Sequence, residues 1–543
     1  MSIPANTSVL AVPVCAETLK NRGVGMKSLD LRGAQLALIE LLMAGYCSPL
    51  VGYLNRKDAA VVLVERRLAD GAPFPQPALL GIDLRFAASI ASGDSVALRD
   101  PEGVLLAVMQ VEDIWTVQDL PEAAARRLAD FGFHDTVYIG GKVQGVEMPV
   151  HYDFSALRFT PEELRNQYVK RGWRKVLACQ PDGMIHRAEA ARIVHAARVA
   201  QANVLVQALV TDEQTITLGH YTRIRCLERC VRYLPERAAL LVVTPMLPVA
   251  TGGVEVLWRT MLARNAGATH LLVEPEWWNG TDIDDHFSIT LLAREAGVEL
   301  VDLPRFVRDS SLGAYLPVVA EADNTVANGA TAEVIRRVRA GQDVPEWLSF
   351  PDVVDELRRS HPVRSQQGVT VFFTGLSGAG KSTIARVLLA KLLEIGERTV
   401  TLLDGDVVRK NLSSELGFSR DHRDLNIQRI GFVASEITKH GGIAICAPIA
   451  PYRATRRRVR QMVEEHGGFI EVHVATPLDT CEARDRKGLY AKARAGLVKE
   501  FTGISDPYET PEHAELVIDT RDCTPLEAAQ MIVTRLESDS FIR

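Results

Sequence analysis

One stretch limits what this chain can fold into more than any other: VTVFFTGLSGAGKST, Val369 to Thr383. Val369, Val371, Phe372 and Phe373 form an apolar, β-prone run. Ile384, Val387, Leu388 and Leu392 then recur at helical spacing, so the segment predicts a buried strand, a glycine-rich turn and a helix. Gly375, Gly380, Lys381 and Ser382 fit the phosphate-loop pattern G-x-x-x-x-G-K-[ST]. The small residues around Leu376 (Ser377, Gly378, Ala379 and Gly380) let backbone N–H groups close around phosphate oxygens. The helix N-terminus, from Lys381 through Thr383, adds partial positive charge. Lys381 is expected to reach the β- and γ-phosphates of ATP, and Ser382 to offer an oxygen to Mg²⁺. A plain strand–helix turn would explain neither side chain.

A second strand, RTVTLLDGD, should place Asp404 and Asp406 at its carboxyl end, where open α/β sheets bind ligands. A carboxylate there can hold Mg²⁺, directly or through water, or accept a proton from an attacking hydroxyl, and Asp404 is the candidate metal ligand beside Ser382. Arg409, Arg423, Arg429 and Arg453 follow, and then Arg484, Lys487 and Lys492 on a lid-like stretch. So many cations in a chain of net charge −6 suggest a pocket for an anionic substrate. Arg456 to Arg458 read as a solvated helix face.

At 543 residues the chain should hold about three to four domains. Residues 1–165 read as β-rich and 166–330 as alternating strands and helices, the pattern of a parallel α/β domain. Residues 331–367 read as connecting helices broken by Pro345 and Pro351, and 368–543 as the phosphate-loop domain. The net charge argues against bulk nucleic-acid binding, and no apolar run is long enough to span a bilayer. The N-terminal residues lack signal-peptide character, and eight scattered cysteines without a zinc-type cluster suggest reduced thiols in the cytoplasm. Cys226 and Cys230, four apart, read as helix packing.

The strings DGDVVR, GFSRDHRDLNIQRI, PIAPYR, KGLYAKARAG and FTGISDPYE, following GLSGAGKST, resemble adenylylsulfate (APS) kinase. That resemblance implies transfer of the γ-phosphoryl group of MgATP to the 3′-hydroxyl of APS, giving PAPS and ADP. It places Asp406 beside that hydroxyl, with Arg409, Arg423 and Asn426 on the phosphosulfate and ribose. It sets Phe418 and Phe501 around the adenine, Ile449 in the same pocket, Lys487 closing over it and Arg484 on ATP. Many members carry serine where this chain has Ala450, so a phosphoserine at that position is impossible and transfer should be direct and in line.

Residues 30 to 350 resemble ATP sulfurylase through GYCSPLVGYL, HYDFSALRFTPEELR, RGWRKVLACQ and His186-Arg187-Ala188. This implies an α/β multidomain chain: a barrel-like, PUA-like N-terminal domain, a Rossmann-like central domain and the kinase, in a homo-oligomer. The family's anion-binding strings are altered. Asp182 stands for its sulfate-binding arginine and Glu189 for its second histidine, and residues 248–255 and 274–279 lose further cations. Each lost charged hydrogen bond is worth roughly 1.5–3 kcal/mol. The expectation is therefore an APS kinase with an inactive sulfurylase-like half, a scaffold or regulatory module. A bifunctional ATP sulfurylase/APS kinase is the alternative, and a nucleotide-binding regulatory scaffold a second. His186 and Arg187 read as packing.

Overall fold

The computed structural model describes residues 9–10, 13–130, 137–211, 218–235, 238–247, 252–317, 330–417, 419–485, 488–498 and 500–543. The chain divides into two compact units, Met1–Arg337 with Asp343–Ser360, and Val338–Gln342 with His361–Arg543.

The first unit holds two principal sheets. The N-terminal sheet contains β1 (Lys27–Asp30), β2 (Gly52–Tyr53), β3 (Leu80–Ile82), β4 (Ser95–Arg99), β5 (Leu105–Trp115) and β6 (Val137–Gly145). Its path is β1-β4-β5-β6-β2, with β3 also on β6. The β5–β6 pair is antiparallel, and its register shifts between Val111 and Asp113, the mark of a bulge. Helix Ala34–Ala44 (AQLALIELLMA) is apolar on nearly every side and is accordingly buried, anchoring the core of this domain.

The central sheet is wholly parallel. It contains β7 (Val176–Cys179), β8 (Asn203–Val210), β9 (Ala239–Pro245), β10 (His270–Val273) and β11 (Glu299–Asp302), in the order β11-β10-β7-β8-β9. Helices Arg187–Ala200, Leu218–Val231, Gly253–Asn265 and Ile283–Glu295 make the crossovers. The apolar run of β7 and the near-complete burial of β8, Gln207 included, fit strands covered on both faces. Helix Pro161–Arg171 leads into this sheet with the expected cap: Thr160 accepts from the Glu163 amide and Glu163 returns a bond to the Thr160 amide. A short hairpin, β12 (Phe306–Arg308) with β13 (Tyr315–Pro317), follows. Cys226 and Cys230 are buried on helix Leu218–Val231, and burial pushes both thiols up to about 12. Pro351 opens helix Pro351–Ser360 instead of breaking one, because the first turn needs no proline N–H. That helix packs on Leu218–Val231, where the Thr222 and Ser360 hydroxyls meet at 2.7 Å.

The second unit is built on β14 (Val369–Thr374), β15 (Val400–Asp404), β16 (Ile443–Ala447), β17 (Gly468–Val474) and β18 (Leu516–Ile518). All pairs are parallel, in the order β15-β16-β14-β17-β18. Helix Lys381–Ile395 lies between β14 and β15 in the chain, and C-terminal helix Pro525–Ser538 packs on it. Helices Arg420–Lys439 and Arg453–Glu464 approach closely at Gly431, where a Cβ would meet Val459 Cγ2 at 2.7 Å. In both units, therefore, the first strand of the parallel sheet lies at its centre, flanked by strands reached in opposite directions. That is the switch point at whose carboxyl edge ligands bind. Among the described residues no helix is long and apolar enough to cross a membrane.

Candidate functional site

The loop after β14 has the conformation its glycines were expected to permit. Gly375, Gly378 and Gly380 have φ of 148°, 77° and 105°. A Cβ on Gly375 would meet the Val474 carbonyl oxygen at 2.5 Å, so the loop can lie against β17 only with glycine there. Lys381, the first residue of its helix, is buried, and its Nζ donates to the carbonyls of Gly375 (2.8 Å) and Leu376 (2.7 Å). The ammonium is thus folded against its own glycine-rich loop. The Thr476 and Thr520 hydroxyls both donate to Ala379 O, bracing the loop from the ends of β17 and β18. Arg484 donates to the Thr520 hydroxyl at 2.8 Å and to its carbonyl at 3.3 Å.

Ser382 donates its hydroxyl to Asp404 Oδ1 at 3.2 Å, and Asp404 is buried at the end of β15. A hydroxyl and a carboxylate side by side at a phosphate loop are hard oxygen donors suited to Mg²⁺. Among the described residues no cluster of three or more His, Cys, Asp or Glu could hold a metal ion. Asp406 is the second residue of helix Gly405–Leu412, and its side chain lies outside the description. Phe418 and Lys487 are outside the described residues altogether.

The remaining expected residues fall into two groups. Arg423 joins a network: it donates to the Thr502 hydroxyl at 2.7 Å and to the Tyr452 hydroxyl at 3.0 Å, and pairs with Asp506 at 3.1 Å. Tyr452 in turn donates to Asp506 at 2.6 Å. Burial first, and then that bond to a carboxylate, push the phenol up to about 12. Asn426 is buried on helix Arg420–Lys439, and its Oδ1 has no hydrogen-bond partner among the described residues. Phe501 sets its ring edge-to-face with Tyr490 at 5.0 Å. A cavity of ≈ 590 Å³ lies between Leu376 of the loop and residues 503–508. Ile449, partly buried, accepts from the Gly375 amide and the Thr374 hydroxyl through its carbonyl. Arg409 is held by the carbonyls of Leu416 and Gly417, and Arg429 by Leu412 O and Glu415.

Sequence reasoning missed Tyr452, Tyr490, Thr502 and Asp506. All four lie inside the quoted strings, but only charge and aromatic stacking were weighed there. It also misread Arg456, which is buried, pairs with Glu471 at 2.9 Å and donates to Ala450 O at 2.8 Å. Arg457 and Arg458 are exposed, as a solvated face requires.

At the carboxyl edge of the central sheet, Asp182 does not present a bare negative charge. Arg259 donates to its Oδ1 at 2.6 Å and Trp277 Nε1 to its Oδ2 at 3.0 Å. Arg259 is buried, lies 4.2 Å over the Trp277 ring and also pairs with Glu255 at 2.8 Å. Arg223 donates to Pro181 O at 2.7 Å and Leu209 O at 3.0 Å. Burial lowers its pKa while Asp182 opposes that shift. Glu189 pairs with the wholly buried Arg192 at 3.1 Å, and Arg192 also binds Glu274. His186 is buried between the Ser349 (2.9 Å) and Thr331 (3.1 Å) hydroxyls, and burial lowers it to about 4. Arg187 stacks on Phe350 at 4.3 Å. Gly252 begins the described part of the next altered string; residues 248–251 lie outside the described residues.

Three family models match in order: PUA-like domain over residues 8–129, ATP-sulfurylase over 155–360 and adenylylsulphate kinase over 367–519. Sulfate adenylyltransferase from Phaeosphaeria nodorum is 40% identical over 542 residues, 95% of this chain and 94% of its own. The protein of that name from Mycosarcoma maydis is 40% identical, covering 98% and 97%. The chain belongs to the sulfate adenylyltransferase family. Within that family, the protein of the same name from Yarrowia lipolytica is 37% identical, covering 97% and 96%. A solved structure described as a hexameric APS kinase from Thiobacillus denitrificans is 39% identical, with a TM-score of 0.80, covering 99% of this chain and 98% of that one.

Membership in the sulfate adenylyltransferase family overturns the expectation that the sulfurylase-like half is inactive. Full-length relatives at this identity bear the name of the very activity that was expected to be absent. The charge argument failed physically because it counted cations lost from the strings and missed those the fold supplies. Arg259 pairs with Asp182 and Glu255, Arg192 pairs with Glu189 and Glu274, and Arg223 lies behind the loop of Asp182.

Proposed function

We propose that the chain is a bifunctional enzyme that makes APS from ATP and sulfate and then phosphorylates APS at its 3′-hydroxyl. The observation that carries this reading is the match, end to end, to proteins named sulfate adenylyltransferase in a chain that also ends in an adenylylsulphate kinase sequence.

In the first reaction a sulfate oxygen attacks the α-phosphorus of ATP and pyrophosphate leaves. Arg223 and Arg259, with the buried amide of Gln180, are proposed to supply the positive and polar groups at the edge of the central sheet. In the second, the loop from Gly375 to Thr383 cradles the phosphates, Lys381 swings from its two carbonyls to the β- and γ-oxygens, and Arg484 clamps the nucleotide. Ser382 and Asp404 are proposed to hold the Mg²⁺ that enters with ATP, which neutralises charge on the transferred group. Asp406 is proposed to orient and deprotonate the 3′-hydroxyl, whose oxygen attacks the γ-phosphorus as ADP leaves. Arg409, Arg423 and Asn426 would hold the phosphosulfate and ribose, with Phe418, Ile449, Lys487 and Phe501 around the adenine. The unpartnered Asn426 Oδ1 supports that assignment, since a ribose hydroxyl would satisfy it.

A homo-oligomer is proposed because the full-length structural neighbour is described as hexameric. A cytoplasmic setting is proposed because the described cysteines are all unpaired. The test is a paired assay on the full-length chain, MgATP with APS and MgATP with sulfate. PAPS in the first and pyrophosphate in the second are expected. Absence of pyrophosphate would overturn the first activity, and absence of PAPS the second.

A further inference from the structure

Tyr490 is buried within the second unit yet carries a polar atom aimed at the phosphate loop: its hydroxyl donates to the Ser377 carbonyl at 2.8 Å. The opposite side of the connection is the edge-to-face contact of its ring with Phe501. Phe501 starts a tight turn in which its carbonyl accepts from the amides of Ile504, Ser505 and Asp506 at 3.0–3.1 Å, and its own amide donates to the Ser505 hydroxyl. The same turn presents Thr502 and Asp506, two of the partners of Arg423 beside Tyr452. One buried side chain thus stands between the loop that is to hold ATP and the turn that orients the arginine of the acceptor site.

We infer that Tyr490 is a positioning residue that ties the nucleotide loop to the acceptor site, so that occupation of either sets the geometry of the other. This rests on the kinase reading given above. The hydroxyl fixes the Ser377 carbonyl and so the path of the loop. The ring fixes Phe501 and, through the rigid turn, the height of Thr502 and Asp506 against Arg423. The Ser377 carbonyl points its oxygen at Tyr490 and so keeps the adjoining amides free for phosphate. Tyr490 touches neither substrate in this scheme.

The test uses the full-length chain and two variants, Tyr490→Phe and Tyr490→Leu. Removing the hydroxyl alone should raise the KM for MgATP about three- to tenfold, the scale of one neutral hydrogen bond, with a smaller change in kcat. Tyr490→Leu, which also removes the ring edge, should raise the KM for APS as well. Calorimetric titration with APS, with and without a non-hydrolysable ATP analogue, gives a second readout. The ratio of the two dissociation constants should differ from one in the wild type and move toward one in Tyr490→Phe. The inference falls if Tyr490→Phe leaves both the KM for MgATP and that ratio at wild-type values. It also falls if both variants change KM values only in proportion to lost thermal stability. A wild-type chain that makes no PAPS would sink the kinase reading itself, an outcome distinguishable from either of these.

Discussion

The two parallel sheets of this chain face the same physical problem and meet it differently. Each centres its first strand and opens a switch point at its carboxyl edge, where the proposed reactions require polyanions to bind. In the second unit the cation at that edge, Lys381, donates to two neutral carbonyls of its own loop. In the central sheet the cations are matched to acids: Arg259 to Asp182 and Glu255, Arg192 to Glu189 and Glu274. A lysine on carbonyls can exchange them for phosphate at small cost. An arginine in an ion pair must release or share a carboxylate first, so anion binding there competes with an internal counter-ion. The lesson is that a cation's availability depends on what it already touches, which a count of charges in a motif does not report.

The sharpest way to break the comparison is Lys381→Met. PAPS formation from supplied APS should fall about 100-fold or more, because a preorganised positive charge on the transferring phosphoryl is lost. Pyrophosphate release from ATP and sulfate should stay within about twofold, since the two sites lie in different units. A parallel loss of both activities would show that the sheets do not act separately. Asp406→Asn should give a loss of similar kind, about 100-fold in turnover on APS with little change in the KM for MgATP. Near-normal turnover would remove Asp406 as the base.

Arg259→Gln sharpens the other side. It leaves Asp182 and Glu255 without their shared cation and should cut pyrophosphate release about tenfold, with PAPS formation unaltered. Asp182→Asn should instead lower the KM for sulfate by freeing Arg259, and an unchanged KM would mean that the arginine does not meet the anion.

What was legible in the sequence follows from how local each feature is. The phosphate-loop pattern, its strand and its helix lie within one stretch, so the positions of Lys381 and Ser382 at the start of the helix and of Asp404 at the end of β15 were legible. The capping box at Thr160 and Glu163 was legible for the same reason. Arg259 reaches Asp182 across 77 residues and Trp277 reaches it across 95, and no spacing rule joins them. Arg456 looked solvated because its neighbours are charged, yet Glu471 on β17 draws it inward. The N-terminal sheet was recognised as strand-rich, but its pairing order rests on contacts between strands far apart in the chain.

The smallest effect concerns pH and the acid side of the comparison. Glu274 is pushed up to about 7, first by burial and then by Glu189, against the pull of Arg192 and Arg305. Arg305 is itself paired with Glu276, and the Cys179 thiol nearby is held neutral by burial. An acid whose pKa is raised on folding holds its proton more tightly in the folded chain. Its contribution is fully present below the unfolded value near 4.5 and is lost as pH rises through about 7. His186, lowered to about 4, acts with the opposite sign, since its neutral folded form gains relative stability as pH rises from 4 to 6.5. The two trends oppose each other in the wild type, so its melting temperature alone is a poor readout. The difference between wild type and Glu274→Gln separates them, because His186 is common to both. Relative to the variant, the wild type should lose thermal stability as pH is raised from 5 to 8, by a few degrees at most for a chain of this size. A difference that stays flat across that range would mean that Arg192 keeps Glu274 ionised throughout it, a fixed counter-ion of the central sheet.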